Sequence, residues 1–78
     1  MNAQQIIEKK QHGDTLCIMH IVNKLAKSRG LKTYTKDTIR QQLNGTRTMK
    51  EIVIEAANIY YDMIDNPTKN TNHEETTN

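Results

Sequence analysis

Met49, Ile52, Val53, Ala56, Ala57, Tyr60, Met63 and Ile64 return at intervals of three and four along the second half of this chain. That period belongs to an α-helix, and a helix with one apolar face must lay that face on other elements. The preceding residues Thr48-Met49-Lys50-Glu51 have the form of a capping box. In it the Thr48 hydroxyl serves the Glu51 amide while Glu51 reaches back to Thr48. Ile54 and Tyr61, seven apart, form a second and narrower stripe off the main face. No strand-like alternation appears anywhere else, so the partners of this helix are expected to be helices too.

Three further helical segments are legible upstream. The first spans about Asn2 to His12 and carries Ile6 and Ile7, with Gly13 suited to its end and Asp14 to the N-cap of the next. The second, Thr15 to about Arg29, places Ile18, Val22, Leu25 and Ala26 at helical spacing. Between Leu16 and Val22 it is apolar on nearly every side but His20, so it is either central in the core or shared with a partner chain. Gly30 is its stop. A connector, Leu31 to Thr35, could hold Leu31 and Tyr34 against the core. Thr35 then caps a short helix, Lys36 to Leu43, with Ile39 and Leu43 facing inward and Asn44-Gly45 ending it.

At 78 residues the chain makes one domain with a small interior. With no Trp or Phe and three Tyr, aliphatic side chains must fill that interior. Residues 1–65 are read as the folded domain. From Asp65 onward, "DNPTKNTNHEETTN" has no aliphatic residue with which to offset its ordering entropy, so residues 66–78 are expected to form a disordered tail. One cysteine, Cys17, leaves no internal disulfide and fits a reducing compartment. No apolar run approaches the ~18 residues of a membrane span, and the N-terminus lacks the order of a secretory signal, so a cytoplasmic location is expected.

Charge is segregated along the chain. Between Lys24 and Lys50 lie Lys24, Lys27, Arg29, Lys32, Lys36, Arg40, Arg47 and Lys50, with Asp37 as the single acid. Such a distribution suits a polyanion-facing surface, although a solvated basic face would look the same. The corner Asn44-Gly45-Thr46-Arg47-Thr48 ends one helix and opens the next. It would set backbone amides, hydroxyls and a guanidinium beside an anion.

The segment "TKDTIRQQLNGTRTMKEIVIEAANIYYDMI", residues 35–64, resembles the recognition helix and following helix of lambda-repressor-like helix-turn-helix proteins. It shares their hydrophobic pair four apart, their Asn-Gly helix stop, their basic corner and their Ile/Ala-rich last helix. The resemblance implies a compact helix-turn-helix domain whose short helix enters the major groove of double-stranded DNA. Ile39 and Leu43 take the buried positions, and Lys36 and Asp37 the places from which bases are contacted. Arg40 and Gln41 continue along the exposed side, while Asn44 with Arg47 would contact the backbone or an adjacent base, the hydroxyls of Thr46 and Thr48 lying beside the phosphates at the same corner. Upstream the chain departs from the family: Ala26 is followed by "KSRGLKTYT", a longer turn than the family's before the second helix.

Other chemistries find less in the sequence. His12, Cys17 and His20 make three donors with no fourth and no Cys-x-x-Cys pair, so no metal is expected. Scattered carboxylates, one serine and no glycine-rich phosphate loop give no basis for an enzyme or a cofactor. The function expected is that of a small transcriptional regulator binding DNA in a sequence-specific manner as a homodimer. Its candidate interfaces are the Leu16–Val22 girdle and the Ile54/Tyr61 stripe. The alternative is a small helical protein–protein adaptor whose basic face is incidental.

Overall fold

In a computed structural model the described residues are 1–65, and they form an all-helical unit. The tail expected over 66–78 lies outside the described residues. Four helices follow in order: α1 (Ala3–Lys9), α2 (Asp14–Ser28), α3 (Lys36–Asn44) and α4 (Glu51–Asp65). The most extensive packing is between α2 and α4, with α3 laid on α2 and α1 touching both α3 and α4.

Local chemistry explains most boundaries. Asn2 opens α1 with a capping box, its side chain accepting from the Gln5 amide while Gln5 accepts from the Asn2 amide. The helix ends at Lys9, earlier than the expected His12, because Lys10 leaves helical geometry with ψ 135°. At the end of α2, Gly30 takes φ +70°. The Leu31 amide then reaches back to the Ala26 carbonyl at 2.8 Å and the Gly30 amide to Lys27 at 3.2 Å, a Schellman closure. The same closure ends α3, where Gly45 has φ +87° and Thr46 N–H donates to Gln41 O at 3.0 Å. Thr35 caps α3 as expected, its hydroxyl accepting from the Thr38 amide.

The interior is the aliphatic set the composition requires. Ile6, Ile18, Val22, Ala26, Ile39, Leu43, Val53, Ala56 and Ala57 are wholly buried, with Met49, Ile52 and Tyr61 close behind. Each fully buried large aliphatic contributes about 1.5–3 kcal/mol relative to exposure. Ile39 and Leu43 face inward, as their spacing predicted.

Four expectations are corrected. Asp14 is the first residue of α2 instead of its N-cap, a position held by Gly13. Its carboxylate is drawn inward by the hydroxyls of Tyr60 and Tyr61, at 3.1 and 2.8 Å, and also accepts from the Gln11 amide at 2.9 Å. Tyr61 is consequently core, not part of an outward stripe, while Met63 and Ile64 stand exposed at the far end of α4. The α4 helix starts at Glu51, two residues beyond the start implied by a capping box at Thr48. The Lys50 amide before it is held by the Gln42 side chain at 2.9 Å. Leu31 is half in solvent instead of against the core, because the connector is anchored through its backbone. Asn23 of α2 accepts from the Tyr34 amide at 2.7 Å and donates to the Tyr34 carbonyl at 3.0 Å, so Tyr34 alone packs inward.

Candidate nucleic-acid interface

The eight residues singled out from the sequence divide between two surfaces. Helical geometry sets Lys36, Arg40 and Asn44 in one row and Asp37 and Gln41 in the next, so these five share the outward side of α3. Arg47 and Thr48 instead line a groove of about 620 Å³, together with Lys32, Thr38, Gln42 and Lys50 and the connector residues Leu31, Thr33 and Tyr34. Thr46 belongs to neither surface as a free donor. Its hydroxyl and amide both go to the Gln41 carbonyl, which finishes α3.

The outward side of α3 is internally organised. Asp37 accepts from the Arg40 guanidinium on one oxygen and from Gln41 Nε2 on the other, the latter at 3.0 Å. The single acid of the basic window therefore positions its two neighbours while lowering the charge that Arg40 presents. Asp37 also sits in the first turn of α3, where a carboxylate suits the helix dipole. Asn44 holds a cation from outside this helix: Lys10 Nζ, from the α1–α2 turn, donates to Asn44 Oδ1 at 3.0 Å. Lys10 lies outside the basic window, and only the fold brings it to this face.

The groove has a different character. Its lining holds three cations, Lys32, Arg47 and Lys50, and no carboxylate. Among the described residues none of the three takes part in an ion pair. Behind them Gln42 is 1% exposed. Its Oε1 is fixed by the Lys50 amide at 2.9 Å, which leaves the Nε2 hydrogens as donors at the groove. Gln42 is the residue that reading by periodicity overlooks. It falls between Ile39 and Leu43 on the inner half of α3, and a polar residue there signals a buried hydrogen bond.

Not every cation of the window serves a surface of this kind. Arg29 makes a two-pronged pair with Glu55, at 3.0 and 2.8 Å. The hydrogen bond and then the charge of Glu55 raise the Arg29 pKa above its usual value, and Arg29 correspondingly holds the Glu55 carboxyl below the usual range. Its charge is thereby matched within the chain.

Cys17 and His20 are both exposed, and among the described residues no three His, Cys, Asp or Glu side chains gather as a metal site. Nor is any described helix long and apolar enough to cross a membrane. No known protein family, curated protein or solved structure matches the chain.

Proposed function

We propose that this protein binds double-stranded DNA with sequence preference, as a small transcriptional regulator, with α3 in the major groove. The observation that carries this reading is the acid-free groove, where Lys32, Arg47 and Lys50 surround the fixed amide of Gln42. Guanidinium, ammonium and amide donors converging without a carboxylate suit a phosphate of the duplex backbone. The groove adjoins the outward side of α3 through Thr38 and Gln42, so a strand seated there leaves Arg40 and Gln41 near base edges. Arg pairs with guanine and Gln with adenine through two hydrogen bonds each. Phosphate contacts supply most of the affinity, and these two side chains the preference.

Selection from a random duplex pool, followed by a salt titration on the enriched sequence, tests the proposal. A recurrent motif, with affinity falling steeply as salt rises, is the expected result. No enrichment together with salt-insensitive retention would end this reading and favour the adaptor.

A further inference from the structure

The cationic groove offers more than a phosphate of the duplex would use. Lys32, Arg47 and Lys50 supply its charge, but Leu31 and Tyr34 stand in the same lining, Leu31 53% exposed and Tyr34 half-buried. Double-stranded DNA turns its phosphates and sugars outward and keeps its bases stacked inside. A strand seated here therefore meets the cations and leaves these two side chains without an apolar partner. The volume of about 620 Å³ falls within the ~300–1,000 Å³ of small-molecule sites, which combine an apolar lining with a few placed polar groups. One such group is already set. Gln42, 1% exposed, has its Oε1 fixed by the Lys50 amide, and among the described residues nothing accepts from its Nε2. A buried amide held at one end and unpartnered at the other is a donor for a ligand's acceptor.

We propose that this groove is a site for a free nucleotide, and that the nucleotide competes there with DNA. Its phosphates lie among Lys32, Arg47 and Lys50, one acceptor takes the Gln42 Nε2, and the base rests on Leu31 and Tyr34. Guanidinium and ammonium donors with no carboxylate in the lining suit a phosphate group. The flat face of a base suits an aliphatic and an aromatic side chain alike. A bare anion would leave Leu31 and Tyr34 unused, and an uncharged apolar molecule would leave three cations unmatched. The site itself does not depend on the DNA reading, but the competition rests on it, since both ligands would then claim the same cations and the same amide. Free nucleotide lowers duplex affinity, and by linkage the duplex lowers nucleotide affinity by the same factor.

The test is a nuclear magnetic resonance titration of the full chain with adenosine diphosphate, following the Gln42 side-chain amide and the Lys50 backbone amide. Adenosine and inorganic phosphate serve as the two halves, at one ionic strength throughout. The diphosphate is expected to shift both signals, with each half binding about tenfold or more weaker. Arg47→Ala and Leu31→Ser, both at exposed positions, should each weaken the diphosphate with helical content unchanged, and Leu31→Ser should leave inorganic phosphate as it was. No shift of either amide at millimolar diphosphate overturns the site. Inorganic phosphate binding as well as the diphosphate overturns the nucleotide assignment. In a second arm the diphosphate is titrated into the complex with the enriched duplex, again at constant ionic strength. Displacement is expected, and Leu31→Ser should need more diphosphate to achieve it. Both ligands bound together without displacement overturn the competition. A chain that binds the diphosphate and no duplex refutes the DNA reading and supports the site, whereas one that binds the duplex and no diphosphate does the reverse.

Discussion

The Tyr61 hydroxyl donates to Asp14 across 2.8 Å, tying α4, the last helix of the domain, to the first residue of α2. Asp14 is 9% and Tyr61 2% exposed, so the bond lies inside the protein. Tyr61→Phe keeps the ring and removes one of three donors to the carboxylate. Because a hydrogen bond to a charged group contributes about 1.5–3 kcal/mol, a loss in that range is expected in urea unfolding. Asp14→Ala should cost more, since it strips the partners from Tyr60, Tyr61 and the Gln11 amide together. Equal losses from the two variants would mean that Tyr60 and Gln11 contribute nothing.

The same cluster fixes an alkaline limit. Burial first, then the hydrogen bond to Asp14 and its charge, push the Tyr60 hydroxyl from its ordinary 10.0 up to about 12. Tyr61 is raised by the same causes in the same order. Folding thus favours the protonated phenols. Their contribution is complete below the unfolded value of about 10 and drains away as pH climbs through the folded values. A melting temperature that is level to about pH 10 and then falls is expected, with the fall shallower in Tyr60→Phe. A profile that drops on the acid side of that point in parent and variant alike would locate the sensitivity elsewhere.

Gly30 and Gly45 close α2 and α3 in the same left-handed way, yet they should not tolerate alanine equally. A side chain costs about 1–2 kcal/mol in that conformation. At Gly30 an added Cβ meets nothing within 4 Å, whereas at Gly45 it comes 3.3 Å from Ile7 Cδ1. Gly45→Ala is therefore expected to destabilise more than Gly30→Ala. Trimming Ile7 to Ala should erase the difference, giving a coupling of about 0.5 kcal/mol or more in a double-mutant cycle. Additive effects would show that Ile7 simply moves aside.

What could be read in advance follows from where the governing forces are local. The caps at Thr35, Gly30 and Gly45 are set by neighbours within a turn, and the Ile39/Leu43 pair by helix period alone, so sequence predicts them. The row on α4 was readable from Met49 to Ala57. Beyond that, both 60 and 61 satisfy the spacing, and the choice depends on Asp14, a partner 47 positions away. The start of α4 was misplaced because Gln42, not Thr48, holds the amide before it, again across a turn of tertiary structure. In the candidate interface the cations of the corner were legible as charge. The partition into an α3 side and a groove, with Lys10 joining one and Lys32 and Lys50 the other, depends on packing that periodicity does not contain.

Gln42 allows the groove to be tested apart from the cations that line it. Gln42→Glu keeps an acceptor for the Lys50 amide and replaces the Nε2 donor with an oxygen. At 1% exposure the new carboxylate must be desolvated. Gln42→Glu should therefore destabilise at least as much as Gln42→Leu, which orphans the amide at about 1–3 kcal/mol. Binding is compared where both variants remain folded. Duplex affinity should fall in Gln42→Glu at every sequence. If the Glu variant binds DNA as the parent does, no phosphate approaches this amide.

Asp37 separates affinity from preference. It holds both Arg40 and Gln41, but side-chain exposures of 63% for Asp37 and 51% for Arg40 make the pair weak, about 0.2–1 kcal/mol in folding. Asp37→Asn should hence leave the melting temperature nearly unchanged. On DNA its effect has two signs. Removing a negative charge beside the duplex raises affinity for any sequence, while freeing Arg40 and Gln41 to sample other rotamers lowers the ratio between preferred and random sites. Arg40→Ala should lose that ratio without the general gain. Arg47→Ala should weaken all sequences alike and reduce the slope of log affinity against log salt by about 1. Competition titrations of the three variants at several salt concentrations distinguish these patterns. Should Asp37→Asn sharpen the preference, the carboxylate is opposing base contact instead of organising it, and the assignment of Arg40 and Gln41 to base edges through Asp37 would be wrong.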